Sequence, residues 1–190
     1  MSELPAYRVL RSRRRTLSLE ITPAGEALVR APLRTGDELI RAFVAARAGW
    51  LETHMAAFAA RKAAEAAIPR LSPAELEALR REAREKLEAR ARHFAPLLGV
   101  DWERITVRTQ RTRWGSCSAR GNLSFNALLA LAPPEILDYV VVHELCHLKE
   151  MNHSPRFWAE VAALLPDWRE RRRRLRDEGR ALMARLPEKG

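Results

Sequence analysis

The stretch His143–His153, which reads HELCHLKEMNH, carries three of the five histidines in this chain of 190 residues. His143 and His147 are four residues apart, so on a helix their side chains lie one turn above each other on the same face. That spacing allows two imidazoles to bind one metal ion, with the Glu144 carboxylate next to them. The pattern therefore predicts a helix that carries a metal site with an adjacent carboxylate.

A third ligand is expected from the residues that follow this helix, because a catalytic zinc ion needs three protein ligands and one open position. His153 follows His147 by six residues, and Asn152 before it favours a left-handed turn that bends the chain back. Glu160, on the next predicted helix, is the alternative ligand. His153 is preferred because imidazole is the commoner zinc ligand. A purely structural interpretation, with buried histidines bonded to backbone carbonyls, stays open.

The chemistry that this pattern favours is metal-assisted hydrolysis of a peptide bond. Zinc lowers the pKa of bound water to about 7, and Glu144 is predicted to act as the general base and to return the proton to the leaving amine. A different class of enzyme, a metal-dependent nucleotide phosphohydrolase, is the alternative, with arginines holding the phosphates. No Gly-rich phosphate loop in the sequence supports it.

Residue patterns elsewhere predict strands in two parts of the chain and helices between and after them. Alternation predicts a hairpin over residues 16–32 and strands at 104–110 and 121–126, whereas residues 111–120 (RTRWGSCSAR) are predicted to form a connection. Helices are expected over 34–58 and 71–99, and from about 133, 154 and 167, with Ser72 as a cap and Gly99 after the end of the second. This order favours an α+β fold over a doubly wound sheet.

Composition restricts the class of protein further. The chain has 47% hydrophobic and 31% charged residues, which is typical of a globular protein, and neither a signal peptide nor a membrane span is predicted, so a cytoplasmic location is expected. Cys117 and Cys146 give no disulfide framework. The net charge of +10 is compatible with weak nucleic-acid affinity, but the many arginines favour the interpretation that it only reflects genomic base composition.

Three segments together carry a family resemblance. RTRWGSCSARGNLSFN (111–126), YVVVHELCHLKEMNHSPRFW (139–158) and RSRRRTLSLEI with VRAP (11–32) resemble the YgjP-like small metallopeptidases, relatives of the SprT-like and WLM zinc proteases. The resemblance implies zinc held by His143, His147 and His153, with Glu144 as the catalytic acid/base. It also implies that GNLSFN forms a strand near the cleft, where an edge strand would hold an extended peptide substrate.

The resemblance implies one metallopeptidase domain over residues 1–190, with a zincin-like α+β fold. Its expected parts are a β-hairpin region (1–35), helices (36–99), a core with a small mixed or antiparallel sheet and the HExxH helix (100–168), and a basic C-terminal helix (169–190). Arg113, Ser116 and Asn126 are candidates for substrate binding. The relation to SprT-like proteases adds a second alternative, a protease associated with DNA.

Overall fold

The computed structural model describes residues 5–187 of the chain. By its contacts the chain divides into two compact units, Met1–Ala67 and Ile68–Gly190. None of the helices in the described part combines the length and apolar character that crossing a membrane requires. The single domain over residues 1–190 stays a prediction, and each unit is described by itself.

The first unit is a three-stranded sheet followed by two helices. Its elements are β1 (Tyr7–Ser12), β2 (Ser18–Ile21), β3 (Ala27–Pro32), α1 (Asp37–Ala45) and α2 (Ala48–Ala66). Strand β3 lies in the centre, parallel to β1 and antiparallel to β2. The predicted hairpin is therefore confirmed as β2 and β3. The predicted helix over residues 34–58 is instead two helices, because the backbone leaves the helical region at Arg47 (φ −124°, ψ 15°).

The second unit contains His143, His147 and His153, and it combines a second three-stranded sheet with four helices. Its elements are α3 (Pro73–Leu98), β4 (Arg104–Arg108), β5 (Gly115–Cys117), β6 (Asn122–Asn126), a 3₁₀ helix (Ala127–Leu131), α4 (Pro134–Cys146), α5 (Pro155–Leu164) and α6 (Trp168–Ala184). Strand β6 lies in the centre, parallel to β4 and antiparallel to β5. The prediction of an α+β fold with small sheets is confirmed.

Helix α3 supports the unit and begins and ends where the sequence predicts. Ser72 accepts a hydrogen bond from the Glu75 amide at 3.3 Å, and the Glu75 carboxylate accepts one from the Ser72 amide at 2.7 Å. Such capping boxes satisfy two amides that the first turn leaves unpaired. The helix ends at Gly99 in the left-handed conformation (φ 65°). Arg90 then binds Asp138 of α4 through two hydrogen bonds of 2.6 and 2.8 Å, which fixes the histidine-bearing helix against α3.

Two expectations for the sheet need correction. Residues 115–117, predicted to lie in a connection, form strand β5, which pairs antiparallel with β6. The segment GNLSFN is a strand as predicted, but it is the central strand of its sheet. The edge strand that packs against α4 is therefore β5, and the sequence pattern missed it because a strand of three small residues is defined by its partner rather than by its own alternation.

Candidate metal centre

Helix α4 carries the HExxH stretch in a buried environment. Pro133 and Pro134 begin the helix, and the residues buried along it are Ile136, Leu137, Tyr139, Val140, Val141, Val142, Glu144, Leu145 and Cys146. The last residue of the helix is Cys146, and His147 is its C-cap, with backbone angles that are still helical (φ −66°, ψ −17°). The one-turn spacing of His143 and His147 is therefore kept, even though the second histidine lies at the very end of the helix.

The structure brings the three predicted histidines together. One ligand atom from each of His143, His147 and His153 lies within 4.8 Å of the other two. The Nε2 atoms of His143 and His153 are 3.1 Å apart. His153 reaches this position from the loop between α4 and α5, where the Ser154 amide donates to the Asn152 carbonyl at 2.7 Å. The chain returns after the helix as predicted, but the left-handed turn expected at Asn152 is wrong, since none of the non-glycine residues in the described part has a positive φ.

A single aromatic ring packs against all three imidazoles. The Phe157 ring centroid is 4.9 Å from that of His143, 4.5 Å from His147 and 4.9 Å from His153. Phe157 is fully buried in the first turn of α5, where the Ser154 hydroxyl accepts a hydrogen bond from its amide at 3.2 Å. The orientation of the three rings is therefore fixed by hydrocarbon packing and by the cap of α5.

The protonation of the rings fits a metal site. Burial lowers the pKa of His143 to about 3, with smaller contributions from the other two histidines and Arg172. Burial also lowers the pKa of His147, whose Nδ1 lies 3.1 Å from the Glu150 carbonyl oxygen. A ring that donates from Nδ1 keeps its Nε2 lone pair free to bind a cation. The residues present therefore fit a divalent ion with nitrogen ligands.

Glu144 follows His143 on α4 and lies against strand β5. Its side chain is buried, and this burial raises its pKa to about 8, while the positive charge of Arg113 lowers it in part. Strand β5 packs closely on it, since a Cβ built on Gly115 would lie 2.6 Å from Cγ and 2.7 Å from Cδ of Glu144. Only glycine permits this approach of backbone to carboxylate. No pattern in the sequence indicated this contact, because it joins residues 29 positions apart.

The other predicted site residues occupy different positions. Arg113 precedes β5 and acts electrostatically on Glu144. Ser116 is the middle residue of β5 and pairs with Ser124. The side chain of Glu160, the alternative third ligand, is bonded to Lys149 at 2.7 Å, and it is not part of the group formed by the three histidines in the described chain.

Asn126 is buried and serves as an anchor for the backbone around β5. Its amide nitrogen donates to the carbonyls of Gln110 (2.6 Å) and Arg113 (3.2 Å). Its amide oxygen accepts a hydrogen bond from the Leu128 amide at 3.1 Å. With 2% of its surface exposed, the side chain has little room to contact a substrate. Asn126 therefore holds the segment that leads into β5.

Replacing Asn126 with alanine is expected to destabilise the protein rather than to change substrate affinity. The change leaves two carbonyls and one amide without their Asn126 partner, and unsatisfied buried groups cost about 1–3 kcal/mol each, so we expect a loss of at least about 3 kcal/mol in the free energy of unfolding. Urea denaturation measures it. Asn122→Ala is the matched control, since that side chain makes one hydrogen bond of 3.4 Å to Ser118. Equal losses in both variants would contradict the anchoring role.

The family follows from a comparison of the sequence. A family model described as YgjP-like, metallopeptidase domain, matches residues 15–76 and 73–178. The chain belongs to the YgjP-like metallopeptidase family. It is therefore a metallopeptidase, a hydrolase that acts on peptide bonds and needs a metal ion. The predicted family is confirmed. No curated protein matches the sequence.

Solved structures also match this YgjP-like chain. The metallopeptidase zymogen abylysin of Pyrococcus abyssi aligns with a TM-score of 0.46 and 24% identity, over 48% of this chain and 93% of that one. The metallopeptidase zymogen jannalysin of Methanocaldococcus jannaschii aligns with a TM-score of 0.44 and 19% identity, over 48% of this chain and 95% of that one.

Proposed function

We propose that this YgjP-like protein is a zinc peptidase in which His143, His147 and His153 hold the ion and Glu144 is the general base. The observation that carries the proposal is the convergence of the three imidazoles, with one ligand atom of each within 4.8 Å of the others. A zinc ion bound there supplies a polarised substrate carbonyl and a water whose pKa is lowered to about 7. Three nitrogen ligands suit zinc and leave its fourth position open.

Glu144 is suited to move a proton near neutral pH. A general acid/base works best when its pKa lies near the operating pH, and in the metal-free protein burial raises the pKa of Glu144 to about 8. Its carboxylate takes the proton of the attacking water and then delivers it to the leaving amine. The charge of Arg113 favours the ionised form, which is the form that accepts the proton.

Strand β5 offers a place for the substrate backbone. The Asn126 amide donates to the Trp114 carbonyl at 2.8 Å and the Ser118 amide to the Asn122 carbonyl at 3.0 Å. Because peptide groups alternate in direction along an antiparallel pair, those of Gly115 and Cys117 point away from β6. An extended peptide added at this edge would form main-chain hydrogen bonds there, next to Glu144.

Metal content tests the ligand set directly. We expect His153→Ala to lower zinc affinity by more than about 100-fold, since even changes behind the ligands typically cost about 10–100-fold. Hydrolysis of an unfolded protein substrate should fall with it. Elemental analysis and a competition titration with a chelator measure zinc binding.

Two control variants sharpen this test. His93→Ala removes an exposed imidazole of α3, and Glu160→Gln removes the alternative ligand. Both are expected to keep their zinc and their activity. Zinc loss in Glu160→Gln but not in His153→Ala would replace His153 with Glu160 as the third ligand. Stoichiometric zinc in all three variants would contradict the proposed centre.

The two alternatives, a nucleotide phosphohydrolase and a DNA-associated protease, stay predictions, as do the cytoplasmic location and the nucleic-acid affinity.

The ion pairs of helix α6 bear on the positive charge of the chain. Most of the arginines of α6 pair with nearby carboxylates, as Arg174 does with Glu135 and Glu178 at 2.7 and 2.8 Å. These pairs leave the net charge of +10 unchanged, because that charge already counts the carboxylates.

A further inference from the structure

Two tryptophans form a stacked pair beside the histidines. The rings of Trp158 on α5 and Trp168 on α6 are 4.1 Å apart at 14°. The Trp158 ring also lies 5.9 Å from His143 and 5.7 Å from His153. The stack therefore extends from the metal centre towards the surface of α6.

An arginine lies over each tryptophan of the stack. The guanidinium carbon of Arg172 is 5.2 Å from the centre of the Trp158 ring, and that of Arg169 is 4.5 Å from the centre of the Trp168 ring. A guanidinium that stacks on an aromatic face keeps its N–H groups free at the edge, where they bind a carboxylate in the bidentate mode. Both arginines are exposed and therefore accessible to a ligand.

These two arginines differ from their neighbours on α6 in having no carboxylate partner. Within residues 5–187, four neighbouring arginines each form an ion pair with a carboxylate, namely Arg171, Arg173, Arg174 and Arg176. No ion pair within 4.0 Å is formed by Arg169 or Arg172 in the same part of the chain. They line a cavity of about 510 Å³ together with Trp168, Arg173 and Arg176. The two unpaired cations thus face an open space, and Arg172 also lies over Trp158, the ring beside the histidines.

We propose that Arg172 and Arg169, supported by the Trp158–Trp168 stack, form a carboxylate-binding subsite beside the three histidines. A peptide carries carboxylates on acidic side chains and at its C-terminus, and either one suits the bidentate geometry of arginine. The preference of the enzyme for such peptides rests on the proposed peptidase function. Binding of the carboxylate does not depend on it.

Tryptophan fluorescence tests the binding step without catalysis. N-acetylglutamate is titrated at low salt into the zinc-loaded protein, with the α-amide of N-acetylglutamine, which carries no carboxylate, as the neutral control. We expect a saturable change with the first ligand only, and an affinity at least about 10-fold lower in Arg172→Gln, because hydrogen bonds between charged groups are lost. Arg172→Lys should recover part of the affinity. Arg180→Gln, the same charge change elsewhere on α6, should match the wild type.

Several results of this titration would overturn the subsite. These are no saturable response in the wild type, an equal response in Arg172→Gln, and saturation by tripolyphosphate but not by N-acetylglutamate. Circular dichroism of each variant shows that the fold is kept. If Arg172→Gln fails to fold, the comparison of Arg172→Lys with the wild type decides, with an unchanged affinity counting against the proposal.

Peptide hydrolysis then identifies the source of the carboxylate. One quenched fluorescent peptide is made in four forms, with glutamate or glutamine next to the cleaved bond and with a free or amidated C-terminus. For each enzyme the ratio of kcat/KM between anionic and neutral forms is measured. We expect a ratio of about 10 or more in the wild type and Arg180→Gln, and about 1 in Arg172→Gln. A ratio independent of Arg172 overturns the subsite, whereas failure to cleave all four forms overturns the proposed peptidase function alone.

Discussion

Replacing Glu144 with glutamine is expected to lower kcat/KM for peptide hydrolysis by about 10²–10⁴-fold, the usual contribution of a general base. The amide keeps the size and the buried position of the side chain but cannot accept the proton of water. Zinc content should not change, because Glu144 is not among the three grouped residues in the described chain. Activity on unfolded protein, with elemental analysis of the same sample, measures both quantities.

The pH dependence of stability provides a second measurement on Glu144→Gln. In the metal-free wild type, burial raises the pKa of Glu144 from 4.5 to about 8, so the folded form binds the proton more tightly than the unfolded chain does. The free energy of unfolding should therefore fall as the pH rises from about 4.5 to about 8, and this part of the slope should vanish in the variant.

A peptidase activity of Glu144→Gln equal to that of the wild type would remove Glu144 from the mechanism. Assaying both proteins on nucleoside triphosphates tests the phosphohydrolase alternative in the same experiment.

Replacing Gly115 with alanine should have a comparably large effect, although Gly115 has no side chain to take part in the reaction. The new Cβ would lie 2.6 Å from Cγ of Glu144, well inside the contact distance of two carbon atoms. Strand β5 is held by its pairing with β6, so the carboxylate must move. Since a displacement of about 1 Å at a reacting group costs about 100-fold in rate, we expect kcat to fall by about that factor.

Measurements on Gly115→Ala must separate a displaced carboxylate from a damaged fold. Zinc content and the melting temperature are determined on the same preparation, and we expect both to stay close to the wild type. Gly49→Ala is the control, since a Cβ at that position of α2 meets no atom within 4 Å. An active Gly115→Ala would show that the contact between β5 and Glu144 is not needed. A variant that binds no zinc would point to a wider rearrangement of the site.

The parts of this structure that were predictable depend on neighbours in sequence. Ser72 and Gly99 mark the ends of α3 because caps satisfy the backbone of their own turn. The spacing of His143 and His147 likewise depends only on helix geometry. The features that the sequence missed depend on how separate elements pack together. Strand β5 is defined by its pairing with β6, Trp158 stacks on Trp168 of the next helix, and Gly115 contacts Glu144, 29 residues further along the chain. The arginines of α6 illustrate the same limit, since the sequence shows their number but not that Arg169 and Arg172 lack carboxylates.

Because Phe157 packs against all three imidazoles, the orientation of each ligand depends on the same phenyl ring. A change at one histidine removes one donor and leaves two in place. A change in the shape of Phe157 alters the packing of every donor at once, whereas Trp158 contacts only His143 and His153. A search for inactive copies of this domain should therefore inspect Phe157 as closely as the histidines.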